Sequence, residues 1–142
     1  MKFTELFRFA GITLAAAFAI IGLNIAEAAD TAVKLSGDQE VPSVATTATG
    51  ISTIVVNSDK SVSGSVKTSG IAGTMAHIHL AEPGKNGPPV IALTKTDDNT
   101  WSVPAGAMLT DEQYKSFQDG NLYVNVHSAE HKGGEIRSQL KP

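Results

Sequence analysis

The chain contains no cysteine. No disulfide can brace it, no thiolate can hold a metal, and a lipoprotein anchor through a cysteine at the leader junction is excluded. It also has no cluster of lysines or arginines, and its 142 residues carry a net charge of −3. A phosphate backbone is therefore not an expected partner, so no nucleic acid is assigned. Neither a nucleophile–base pair nor a glycine-rich phosphate loop can be read from it. There is no internal repeat, no linker, no low-complexity tract and no long helical periodicity in the body of the chain. Stability must come from packing, and any metal must be held by histidine, methionine or carboxylate.

What is present begins with a leader. Lys2 and Arg8 precede the apolar run from Phe9 to Ile25, and Ala26-Glu27-Ala28 supplies the small residues of a cleavage site. Residues 1–28 are expected to be a signal peptide, and residues 29–142 a single exported domain, periplasmic or secreted, with no membrane association after cleavage. The alternative is an uncleaved anchor, since the run is about long enough to span a bilayer. Nothing basic follows it to stop transfer. The leader holds two basic and two acidic residues, so its removal leaves the net charge at −3. The remaining length is close to the commonest domain size and sufficient for one core.

From Thr31 the sequence reads as strands separated by turn residues. Ala32 to Ser36 is a short strand closed by Gly37-Asp38, and Pro42 marks a strand limit or an edge. Thr46 to Val56 is rich in β-branched residues, and Asn57-Ser58-Asp59-Lys60 turns it into Ser61 to Thr68, a hairpin. Glu82 to Pro89 is the strongest break, and Val90 to Leu93 resumes a strand. Asp97-Asp98-Asn99 turns toward Trp101. Thr110, with Gln113 three residues on, has the spacing of a capping box. It starts a helix over Asp111 to Gln118 that buries Tyr114 and Phe117 and ends at Gly120. Leu122 to Val126 and Gly134 to Leu140 complete an all-β, antiparallel Greek-key sandwich or barrel with one short helix.

All four histidines fall in two segments, Met75-Ala76-His77-Ile78-His79 and Tyr123 to His131. As strands, these place Met75, His77 and His79 on one face, and Tyr123, Asn125 and His127 on one face of the other. The imidazoles are expected to converge at one end of the barrel as a nitrogen-donor cluster, which most readily serves a transition metal. Candidate ligands are His77, His79 and His127, then His131, then Met75 as a soft thioether. The competing reading is a structural histidine cluster tied to main-chain carbonyls, with Met75 as core filler. Copper is the expected metal and zinc the second choice. Glu135 and Arg137 share a strand face. They are expected either to orient a ligand imidazole, to attract an anion through Arg137, or to close the barrel as an ion pair. Trp101 and Tyr123 read as core anchors, and Asn86-Gly87-Pro88 as loop geometry supporting the His79 strand. The string His127-Ser128-Ala129-Glu130-His131 matches an inverted zinc-protease motif. That motif needs a helix, whereas here a β-branched strand precedes it and Gly133-Gly134 follows.

Several motifs in order resemble the CHRD domain, a module named from chordin and widespread in bacterial exported proteins. They are Leu35-Ser36-Gly37-Asp38-Gln39-Glu40-Val41-Pro42, Ala76-His77-Ile78-His79, Asn86-Gly87-Pro88, Leu109-Thr110, Gly120 to His127 and Gly133 to Gln139. The resemblance implies an immunoglobulin-like or superoxide-dismutase-like β-barrel. It places the family's recurring histidines on His77, His79 and His127, and its terminal acid and base on Glu135 and Arg137. At His131-Lys132 the chain departs from the Asn-Pro of many relatives. His77-Ile78-His79 also resembles, locally, the copper site of Cu/Zn superoxide dismutase, although that enzyme's bridging histidine and zinc loop are not recognisable. Three functions stay open: a copper store, buffer or carrier served by a donor or acceptor protein, a copper-only dismutase, and a metal-free adhesion or structural module.

Overall fold

The computed structural model describes residues 32–142, so the expected signal peptide lies outside the described residues. In chain order the strands are β1 (Val33–Leu35), β2 (Thr49–Ser52), β3 (Val55–Val56), β4 (Val62–Ser63), β5 (Ser65–Ser69), β6 (Gly73–Leu80), β7 (Pro89–Ala92), β8 (Thr94–Asp97) and β9 (Thr100–Ser102). Helix α1 (Asp111–Gln118) precedes β10 (Leu122–Ser128) and β11 (Ile136–Gln139). A five-stranded sheet has the order β1-β2-β5-β9-β8, a four-stranded sheet the order β11-β10-β6-β7, and β3-β4 form a small ribbon. Every pairing is antiparallel. The all-β sandwich with one short helix is the fold expected from the turn spacing.

Local chemistry accounts for most boundaries. Thr110 accepts from the Gln113 amide while the Gln113 side chain accepts from the Thr110 amide, which closes the capping box. Phe117 is buried, and Gly120, at φ 79°, ends the helix in a conformation that costs a residue with a Cβ. The expected hairpin between Thr46–Val56 and Ser61–Thr68 forms, but as two ladders, β2 with β5 and β3 with β4. The break falls at Thr53-Ile54, where Ile54 turns into the core and Gly64, at φ 108°, packs against the Thr53 carbonyl. A Cβ there would collide with that carbonyl, so both strands jog together out of the first sheet.

Period-2 alternation divides the four-stranded sheet into two faces. Ala76, Ile78, Leu122, Val124, Val126 and Ile136 point inward, where they pack with Leu35, Val66 and Trp101 of the other sheet. Each buried valine, leucine or isoleucine among them contributes roughly 1.5–3 kcal/mol of transfer free energy, so this face anchors the sandwich. The opposite face is covered as well, which explains why every residue of β10 is buried. Its cover is the segment from the 3-10 turn Gly37–Gln39 to Thr46, together with the 81–88 loop. The Val44 amide donates to the Gly37 carbonyl at 2.8 Å, a closeness that leaves no room for a Cβ on Gly37. Asn86 Nδ2 donates to the Val41 carbonyl at 2.6 Å, tying the two covers together. Thr46 Oγ1 donates to Glu135 Oε1 at 2.7 Å, fixing the far end to the sheet.

Candidate metal centre

The register assembles the polar face residue by residue. Across β10 and β6, Tyr123 stands opposite His79, Asn125 opposite His77, and His127 opposite Met75. Across β10 and β11, Asn125 stands opposite Arg137 and Tyr123 opposite Gln139. Directly opposed residues share a face, so these side chains form one grid on the outer surface of the sheet. The histidines therefore meet beneath the loop cover rather than at a barrel end, because alternation that buries Val124 and Val126 must turn Asn125 and His127 outward.

His77, His79 and His127 each offer a ring nitrogen, and these nitrogens lie within 4.8 Å of one another. His79 Nδ1 donates to the Gly87 carbonyl at 2.9 Å, and His127 Nδ1 donates to the Lys132 carbonyl at 2.8 Å. A carbonyl has no proton to give, so both rings carry hydrogen on Nδ1, and Nε2 is the nitrogen each can offer as a ligand. His127 Nε2 accepts from His77 Nδ1 at 3.1 Å. His79 Nε2 is buried and has no partner at all. Burial pushes the His77 ring below the ordinary imidazole pKa, and the neighbouring His127 and His79 push the same way. Burial also lowers His79, partly offset by the Gly87 carbonyl. Both shifts keep the rings neutral, the form that binds metals.

Such a donor set fits a transition ion. Nitrogens about 2.0 Å from a tetrahedral metal stand roughly 3.3 Å apart, so the His77–His127 separation is already close to that required. The orphaned lone pair of His79 is what a metal would satisfy. Main-chain carbonyls on the remote nitrogens of His79 and His127 are the usual means of fixing tautomer and ring orientation in metal sites.

Other expected residues lie elsewhere or act differently. His131 is outside the three-histidine group, in the turn after β10, where its carbonyl accepts from the Ser128 and Gly134 amides. Because His127 lies within β10 and His131 in the loop that follows it, the zinc-protease string forms no helix. Met75 shares the face but is 49% exposed at its margin, so it is not core filler. Glu135 and Arg137 do not form the expected ion pair. The ion pairs among the described residues are Lys60–Asp111, Lys85–Glu82 and Lys115–Asp119. Arg137 instead donates to Asn86 Oδ1 and Gln139 Oε1 and lies 3.5 Å over the Tyr123 ring. It is 1% exposed, out of reach of a diffusing anion.

Tyr123 is not a core anchor either. Its ring stacks on His79 at 4.7 Å and 4°, so imidazole, phenol and guanidinium form one pile that immobilises the His79 ring. Trp101, by contrast, does lie in the core. Three residues that the sequence offered only as members of a motif or a strand face prove to belong to the site. Asn86 ties the covers to Arg137. Asn125 sits among the histidines, and its only signal was a polar residue at the parity of Tyr123 and His127. Glu40 stood in the Leu35 to Pro42 motif with no role attached to it. It arrives from the covering segment, is 6% exposed, and its Oε1 has no partner. Desolvation raises its pKa from 4.5 to about 7, with Asn125 and Arg137 pulling back part of the rise.

An antiparallel sandwich with a three-imidazole group on one sheet's outer face, two rings buried and His77 half-buried, thus defines the class of the protein. The chain belongs to the CHRD domain family, whose family model matches residues 31–140. No curated protein and no solved structure matches it.

Proposed function

We propose that His77, His79 and His127 bind one metal ion, that the ion is copper with zinc as the second choice, and that the protein is exported to store, buffer or hand on that ion. The observation that carries this is the convergence of three imidazoles, one of whose lone pairs is buried without a partner. Copper is favoured over harder ions by the all-nitrogen set and by Met75, a thioether open to solvent on the same face. A copper donor or acceptor protein would approach from that margin. Export is supported by the sequence of residues 1–28, and no helix among the described residues is long and apolar enough to cross a membrane. A dismutase reading draws no support from Arg137, whose guanidinium is buried and engaged.

The test is metal analysis of protein purified from its own host, followed by copper titration of the metal-free form. The wild type should take up about one copper per chain, and His77→Ala with His79→Ala should abolish uptake. Unchanged stoichiometry in the double variant refutes the assignment.

A further inference from the structure

We propose that the side-chain oxygen of Asn125 is the fourth donor of this centre, making a three-nitrogen, one-oxygen set that favours a divalent over a monovalent ion. This rests on the three-histidine reading and adds a ligand to it. Asn125 is 1% exposed, lies opposite His77, two residues from His127 on the same strand, and flanks His79. Four buried side-chain polar atoms among the described residues make no hydrogen bond, and two of them are Asn125 Oδ1 and His79 Nε2. A buried polar atom without a partner is uncommon enough to require a cause.

The amide's orientation supplies one. Asn125 Nδ2 donates to the Gly133 carbonyl at 3.3 Å and lies beside Glu40 over Gly134, where a Cβ would collide with both side chains. Gly134, at φ 129°, is thus the residue that lets Glu40 and Asn125 approach. Turning the amide over would set oxygen against the Gly133 carbonyl, a repulsion no protonation state removes. The nitrogen is therefore held toward the loop, and the oxygen is left on the side of the histidines. His79 Nε2 is itself bare, because Nδ1 holds the ring proton against Gly87. Two neighbouring desolvated lone pairs repel each other unless a cation lies between them. An amide oxygen is a harder donor than imidazole, so its participation shifts preference from Cu(I) toward Cu(II) or Zn(II).

The experiment uses the mature protein, its Asn125→Leu and Asn125→Asp variants, and copper as the probe. Affinities for Cu(II) and Cu(I) are read by competition with chelators specific for each. Asn125→Leu should still bind one copper, lose about 10–100-fold in Cu(II) affinity, and retain its Cu(I) affinity. Asn125→Asp, with a charged oxygen, should bind Cu(II) more tightly than wild type. Pulsed electron paramagnetic resonance of the wild type in oxygen-17 water should show no equatorial solvent ligand, and Asn125→Leu should gain one. That wild-type measurement decides the matter if the leucine variant fails to fold. Equatorial solvent in the wild type, or Cu(II) affinity and hyperfine coupling unchanged in Asn125→Leu, overturns the role of Asn125 while leaving the histidine centre standing. A wild type that takes up no metal overturns both.

Discussion

Replacing Glu40 by glutamine should stabilise the metal-free protein in alkaline solution and leave it unchanged in acid. In the unfolded chain this carboxyl ionises near 4.5, whereas in the folded chain it keeps its proton up to about 7. A folded pKa raised above the unfolded one means that stability is fully present below pH 4.5. It then declines as pH rises and reaches its floor above 7. The displacement of about 2.5 units corresponds to roughly 3.4 kcal/mol at 1.36 kcal/mol per unit. Residual solvent screening around a group at the edge of a loop reduces this to about 2 kcal/mol. Glutamine has the shape of the neutral acid and never ionises, so it escapes the loss. Urea unfolding with a chelator present, at pH 4.5 and pH 8.5, reads the difference directly. Comparing variant with wild type cancels His77 and His79, whose lowered pKa values act oppositely and add stability as pH rises toward 6.5. At pH 8.5 the variant should melt on the order of 10 °C higher. A variant less stable than wild type at pH 8.5, or a difference independent of pH, would refute the account of Glu40 as a desolvated acid whose neighbours compensate only part of the cost.

Two further predictions follow from the same geometry. Copper affinity should hold as the pH falls to the ordinary imidazole range and drop only in more acid solution, because the lowered pKa values of His77 and His79 delay proton competition; a fall already between pH 8 and 7 in a chelator competition would point to other ligands. Tyr123→Leu should cost about 2–3 kcal/mol in thermal unfolding, from the lost stacking and cation–π contacts together. It should also weaken copper binding by freeing the His79 ring, and an unaltered affinity would separate the pile from the centre.

Much of this fold is written locally. Alternation along Ala76–Leu80 and Leu122–Val126 assigns an apolar and a polar face before any partner strand is known, because side chains on a strand can only point to two sides. The helix is set by Thr110, Gln113 and Gly120, whose hydrogen bonds and backbone angles are satisfied within a few residues. The three histidines could be grouped for the same reason, since their parity is a local property. Parity does not say which groups meet. Glu135 and Arg137 lie on one face as read, yet neighbours from other elements, Thr46 for one and Tyr123, Asn86 and Gln139 for the other, reach them first. Which sheet face carries the centre, the stacking of Tyr123 on His79, and the arrival of Glu40 over Asn125 depend on how β10 is paired and what folds across it. Those contacts join residues far apart in sequence. Strand register and burial from both sides determine them, and neither quantity exists until the sandwich has closed.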